Sequence, residues 1–311
     1  MGSAGSKRAD GTEWEDNYKD GPPWVFKGRA LYQLQLVKAS EARKFIPPEL
    51  KIVEAFGYTL GGLYFAQYDS SPAGQFDELV ALAGIVWNPP TSCAWAARVL
   101  VDTPVAVRHG LTEVGLPSRL ARFQKRRLPQ QKRRHQRSSK SDNLGETSLP
   151  EGANGLTEVS AETEDGPLQV TIDEVGWRNE NRHLAAITLP RDRRKGAWAG
   201  PRIKMYLPSF SGKTDLQPDM LKYSCELRCN VRPVAAARVE APKASGRPEA
   251  DSALRSVLLG RPVFSLVFDN MEMSVEAPIV VANHIEKREL EEGQKSRKWA
   301  PAFGKLQWGS T

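Results

Sequence analysis

Cysteine is scarce, with three residues in 311, an odd number and too few to staple a secreted scaffold. Cys225 and Cys229 lie four residues apart. On a strand that spacing puts them on one face about 13 Å apart, beyond the reach of a disulfide or a shared metal. No histidine sits nearby at zinc spacing, so they read as free thiols, and neither a metal nor a cofactor is expected. Long apolar runs are also missing, and a mean hydropathy of -0.48 excludes a membrane-spanning helix. The first twenty residues lack the apolar stretch of a secretory signal. Asp10, Glu13, Glu15, Asp16 and Asp20 make that leader too acidic for a typical transit peptide, so a reducing compartment is expected.

The net excess of basic charge is local. The chain carries a formal +7, yet ten basic residues and no acidic one fall between Arg119 and Lys140, leaving the remainder at -3. That run has the look of a nuclear-localisation or nucleic-acid patch. It lacks the interleaved aromatics that base stacking needs, so it reads as a solvated loop with no nucleic-acid partner. No fixed period recurs, which excludes a repeat architecture.

What is present is a succession of strand patterns. Residues 1–21 are expected to form a flexible leader. Trp24–Val37 then reads as a strand with Tyr32, Leu34 and Leu36 on one face and Gln33 and Gln35 interrupting the other. Ser40 is placed to cap a short helix through Phe45, which Pro47-Pro48 stops. Strands follow at Leu50–Phe56 and Tyr58–Tyr68, the latter containing Gly61-Gly62, a mark of a bulge or a close approach. Leu79–Trp87 is apolar on both parities and reads as buried on both sides. After a strand at Cys93–Val101, Thr103 and Pro104 open a helix to about Leu111.

Residues 124–166 lose all patterning and are expected to form a disordered basic and polar loop. Strands resume at Leu168–Val175, His183–Leu189, Arg202–Leu207 and Leu221–Val234. A polar loop at 240–251 precedes Val263–Val267 and Met271–Val281. The tail, 283–311, is charged, with Trp299, Phe303 and Trp308 as candidate partner anchors. About ten strands with few short helices predict an α+β protein, mainly antiparallel β, built as one domain over 22–282.

Several segments carry a resemblance. Asp69–Leu79, Gly115-Leu116-Pro117-Ser118-Arg119, Phe26-Lys27-Gly28-Arg29, Phe45–Leu50 and Ile203–Pro208 resemble the acetoacetate decarboxylase superfamily over residues 22–123 and 167–282. That resemblance implies a double-layered antiparallel β cone around an apolar cavity. A longer set, Phe56–Gly62, Gly84–Leu100 and Leu207–Gly212, resembles a plant branch of the superfamily required for neoxanthin accumulation, upstream of abscisic acid. It implies a protein that assists this carotenoid pathway rather than catalysing its step. The pathway implies a plastid, while the leader's composition leaves the cytosol open.

Carried over residue by residue, Arg29 matches the family's arginine and Glu78 its motif carboxylate. The family's second glutamate falls near Leu63, its Schiff-base lysine on Ser118 and the neighbouring cation on Arg119. A hydroxyl cannot form an imine, so the family's covalent step is not available from Ser118. Glu78 is either a carboxylate facing a dry cavity, with a raised pKa suited to a general acid, or a solvated carboxylate at a strand start. Arg29 and Arg119 either grip a ligand carboxylate or pair structurally with Glu78. A nucleophilic Ser118 would need a base in reach, and His109 is the nearest histidine in sequence.

Three functions fit: a non-covalent accessory protein binding a small apolar, carotenoid-like ligand or assisting a pathway enzyme; a non-imine isomerase or epoxide-opening enzyme using Glu78 as acid; and a scaffold acting through the basic loop and tail. The oligomeric state is not encoded in any pattern.

Overall fold

The computed structural model describes residues 18, 20–129, 166–176, 181–190, 200–242 and 249–281. The leader before Tyr18, the polar interruption from 130 to 165 and the charged tail from 282 lie outside the described residues.

β1 (Trp24–Lys38) is the hub. It pairs antiparallel with β3 (Tyr58–Ser70) on one side and β12 (Arg261–Val275) on the other. β3 continues to β4 (Phe76–Asn88) and β4 to β5 (Thr91–Val101). β12 continues to β10 (Met220–Pro233) and β10 to β9 (Arg202–Gly212). β9 then pairs in parallel with β5 at Ala94 and Trp95, closing a barrel of these seven strands. A closed barrel has no free edge along its circuit.

The far half of β5 pairs in parallel with β6 (Ser118–Arg127), which leads outward to β7 (Leu168–Val175), β8 (Asn181–Thr188) and β11 (Arg238–Glu240). β2 (Glu54–Ala55) and β13 (Ile279–Val280) are short additions to β3 and β10. The expected mainly antiparallel, two-layered architecture with few short helices is what the chain forms.

The two layers follow from side-chain alternation. Outward residues of the barrel, among them Leu31, Leu63, Phe65, Leu79 and Ala81, pack against Val170, Ile172, Ala185 and Ile187 of the second sheet. Leu254, Val257 and Leu258 of α3 (Glu249–Leu258) join them. Inward residues such as Phe26, Ala30, Tyr64, Tyr68, Phe268 and Met273 form a separate cluster inside the barrel. The apolar run Leu79–Trp87 serves both layers, which is why neither parity is polar.

The structure adds to the reading of β1 and corrects several element boundaries. The two glutamines of β1 lie deep in the core: Gln33 is 0% and Gln35 1% exposed. Gln33 is matched, its Oε1 accepting from Ala237 N–H at 2.7 Å and from the Ser265 hydroxyl at 3.0 Å. α1 (Ala39–Ala42) starts before Ser40, with Lys38 in the capping position and no side-chain cap. Leu50–Phe56 yields only β2, because Lys51–Val53 instead hydrogen-bonds along β4. The two strands expected between Val263 and Val281 are one long β12, irregular at Asn270 (φ 47°), followed by β13. The polar stretch at 240–251 already contains the start of α3, and the basic run starts inside β6, which reaches Arg127.

Candidate functional site

Inside the barrel is a cavity of about 290 Å³. Its walls come from the inward positions of β3, β4, β5, β9, β10 and β12, and from α2 (Pro104–Thr112). Trp24, Phe26, Phe76, Val101 and His109 are all buried and make its floor. Lining residues Ile85, Ser92, Ala94 and Ser209 at the other end are only partly buried, so the cavity opens there.

Alternation along β4 places Glu78, Val80 and Leu82 on the cavity and Leu79, Ala81 and Ala83 on the outer core. The irregular register near Gly84 shifts the parity, so Ile85 faces inward again. Glu78 accepts a hydrogen bond from the Tyr68 hydroxyl at 2.7 Å. Tyr64, four residues earlier on the same face, sits with its hydroxyl 3.5 Å from that of Tyr68 and donates to Met271 Sδ at 3.3 Å. No cation reaches Glu78 among the described residues. Burial raises its carboxyl to about 7, and the Tyr68 hydrogen bond only partly offsets this.

Asp77, its neighbour, faces the other way and pairs with Lys125 at 2.7 Å. Of two adjacent carboxylates, one is therefore tied down by a cation and one is left in an apolar chamber.

Ser118 lines the cavity at the start of β6 and is 1% exposed. It packs so closely on Gly110 that a Cβ there would lie 2.3 Å from the Ser118 hydroxyl oxygen. The turn delivering it needs Gly115 (φ 68°), where a side chain would also strike the Gly212 backbone.

Arg119 is exposed on the opposite face, because consecutive strand residues cannot point the same way. Arg29 is likewise exposed and donates from Nε to Gln67 Oε1 at 2.9 Å. The structure thus brings Glu78 and Ser118 together on one cavity and keeps Arg29 and Arg119 off it, in neither of the roles expected. Leu63 is fully buried in the outer core, away from the cavity. Among the described residues the lining contains no lysine and no arginine.

Sequence reasoning did not single out Tyr18, Trp24, Tyr64, Tyr68 or Tyr223, all of which line the cavity. The even spacing of Tyr64 and Tyr68 along β3 was the available signal. Tyr18 belongs to the presumed leader, yet its ring stacks on His109 at 3.6 Å and 16°. Its phenol is held well above the usual range by burial and by Glu78.

His109 also meets the Trp24 edge at 4.3 Å. It is 4% exposed and neither ring nitrogen has a hydrogen-bond partner among the described residues, so there is no Ser118–His109 pair. Burial lowers it to about 4 and keeps it neutral. Cys225, also on the lining, is a free thiol pushed up to about 12 by burial and Glu78, which makes it a poor nucleophile. Among the described residues no three His, Cys, Asp or Glu side chains gather as a metal site.

This arrangement can hold an apolar molecule and offer a neutral O–H to one of its oxygens. It offers no amine for imine formation and no guanidinium for a carboxylate.

No family model matches the chain. It is 44% identical over 313 residues to "Protein NEOXANTHIN-DEFICIENT 1" of Oryza sativa subsp. japonica, covering 93% of this chain and 98% of that one. The Arabidopsis thaliana protein of the same name is 46% identical over 276 residues, covering 84% and 94%. Among solved structures, an acetoacetate decarboxylase is 14% identical with TM-score 0.49, covering 85% of this chain and 91% of the other. The enduracididine biosynthesis enzyme MppR complexed with pyruvate is 16% identical with TM-score 0.49, covering 90% and 98%.

Proposed function

This chain belongs to the NEOXANTHIN-DEFICIENT 1 family of plant proteins, and from that premise we propose that it serves neoxanthin formation as a non-covalent ligand-binding accessory protein. One observation carries the reading. Among the described residues, an apolar cavity displays a single carboxyl poised near neutrality, with a serine in place of an amine and no cation on its wall. Such a site favours uncharged, oxygenated apolar molecules and disfavours carboxylates, whose charge would be desolvated without a partner.

At about 290 Å³ the cavity sits at the lower edge of the roughly 300–1,000 Å³ usual for ligand pockets. It suits the oxygenated end of a long polyene, with the remainder of the molecule in the mouth. A pathway enzyme is then the natural recipient of that ligand. Purified protein should bind a xanthophyll saturably, and borohydride added with a keto acid should leave its mass unchanged. A reduced adduct on any lysine would overturn this reading.

The Tyr68–Glu78 hydrogen bond and the raised carboxyl favour one second reading, an isomerisation in which Glu78 protonates an epoxide oxygen as its C–O bond opens, and the carboxylate so formed takes a proton from the adjoining carbon chain as that C–H pair becomes a new carbon–carbon double bond. Conversion of violaxanthin by the pure protein, abolished in Glu78→Gln and retained in Ser118→Ala, would establish it.

A further inference from the structure

We propose that the rim around the cavity mouth docks on the interfacial region of a lipid bilayer. The inference stands on the surface itself and does not need the cavity's occupant to be known.

The rim is built at the barrel end where β1 finishes, β3 begins and β4 turns into β5. Trp87 is 50% exposed on β4 and pairs across the strands with Ser92, which lines the cavity mouth. Two residues earlier on the same face, Ile85 also lines it, so Trp87 continues the cavity wall outward. Tyr58, 41% exposed, begins β3 opposite Lys38.

Phe56 occupies the turn between β2 and β3 and is wholly exposed. The segment joining these tips is fixed to β4, with Trp87 N–H donating to Lys51 O at 2.7 Å and Val53 N–H to Ile85 O at 2.9 Å. The exposed pair Pro89-Pro90 completes the β4–β5 turn.

Phe56 is the clearest anomaly. Its φ of 53° lies in the left-handed region, which a bulky residue adopts only with strain, and its ring packs on nothing. Asn or Gly would fold better there. A fully exposed aromatic at a strained turn tip, beside a Trp and a Tyr, matches the amphipathic aromatics that settle at headgroup depth.

Charge around the rim fits the same occupant. Lys38 and Lys51 are exposed and make no ion pair among the described residues, which suits them to lipid phosphates. Glu54 is an exposed carboxylate with no ion pair among the described residues, while Glu41 and Glu49 are engaged by Lys44 and Lys213. The exposed aromatics sit on two separate strand connections, Phe56 and Tyr58 at β2–β3 and Trp87 at the end of β4, which suits a fluid bilayer better than the close-packed patch of a protein interface.

The test is co-sedimentation of the full chain with phosphatidylcholine vesicles, with and without phosphatidylglycerol, read alongside Trp fluorescence. Wild type should bind, with a blue-shifted spectrum. Phe56→Asn should fold at least as well by thermal melting, since it relieves the backbone, yet bind vesicles about tenfold to a hundredfold more weakly. Trp87→Glu should do the same, and Val25→Glu, at the opposite end of β1, should not.

Vesicle binding that survives both rim variants, or no vesicle binding by wild type, would overturn the proposal. The second outcome leaves the ligand reading intact if detergent-dispersed xanthophyll still binds.

Discussion

Glu78 and His109 share the cavity wall and are shifted in opposite directions by the same cause, burial. In the fold Glu78 keeps its proton up to about pH 7, against an ordinary value of 4.5. The folded state therefore binds the extra proton between those values, and stability falls as pH rises through that window. His109 loses its proton at about 4 in the fold against 6.5 ordinarily, so stability falls as pH drops from 6.5 towards 4. In the overlap the two slopes oppose each other.

Urea unfolding across pH 4 to 8 separates them. Glu78→Gln should raise stability at pH 8 by up to about 3 kcal/mol and leave only the histidine's slope. His109→Phe should keep the ring stack with Tyr18 and Trp24, remove two unpartnered nitrogens, and leave only the glutamate's slope. An unchanged profile in His109→Phe would mean that water already solvates the imidazole. At this scale the sequence made Glu78 and Ser118 legible through the motif alignment. Arg29 and Arg119 were misplaced because a motif match fixes a position in the chain and not the face of the strand it occupies.

Strands and helices were read well where the pattern was plain. Leu168–Val175 and the Pro104 helix start match β7 and α2 as expected. The glutamines of β1 are not legible as core, because their partners are distant in sequence: Ala237 and Ser265 for Gln33, and the Leu258 carbonyl for Gln35. α3 begins inside the stretch 240–251, which its polar residues mark as a loop, and its apolar positions Ala253, Leu254, Val257 and Leu258, at helical spacing, fall just beyond it.

Of the two readings of the Gly61-Gly62 pair, a bulge or a close approach, the structure shows the close approach. Gly62 has φ 138°, and a side chain there would lie 2.0 Å from Gln33 O on β1. Gly62→Ala should cost more than about 3 kcal/mol and shift the urea midpoint sharply, or prevent soluble expression. A wild-type midpoint would show that β1 and β3 can separate locally without penalty.

Across the whole molecule, a closed barrel inside a partial second sheet yields two apolar compartments, one filled and one with room for a guest. The mainly antiparallel architecture could be read from strand patterns and the resemblance. The closure could not, since it depends on the short parallel contact of β5 with β9, between segments more than a hundred residues apart. Tyr18, the cavity residue with the least sequence signal, reaches the site from outside the barrel's strands. The rim of exposed aromatics was likewise hidden, because an exposed Trp and a core Trp look alike in a strand pattern.

The central claim is that this cavity binds an uncharged, oxygenated apolar molecule without a covalent bond. Titrating a xanthophyll into wild type and Ala96→Phe, with fluorescence quenching as the readout, tests it most directly, because Ala96 lines the cavity and a phenyl ring there would fill it. Saturable, reversible binding by wild type that weakens about a hundredfold in the filled variant is the expected result. No saturable binding by wild type, or equal binding by both proteins, would contradict it.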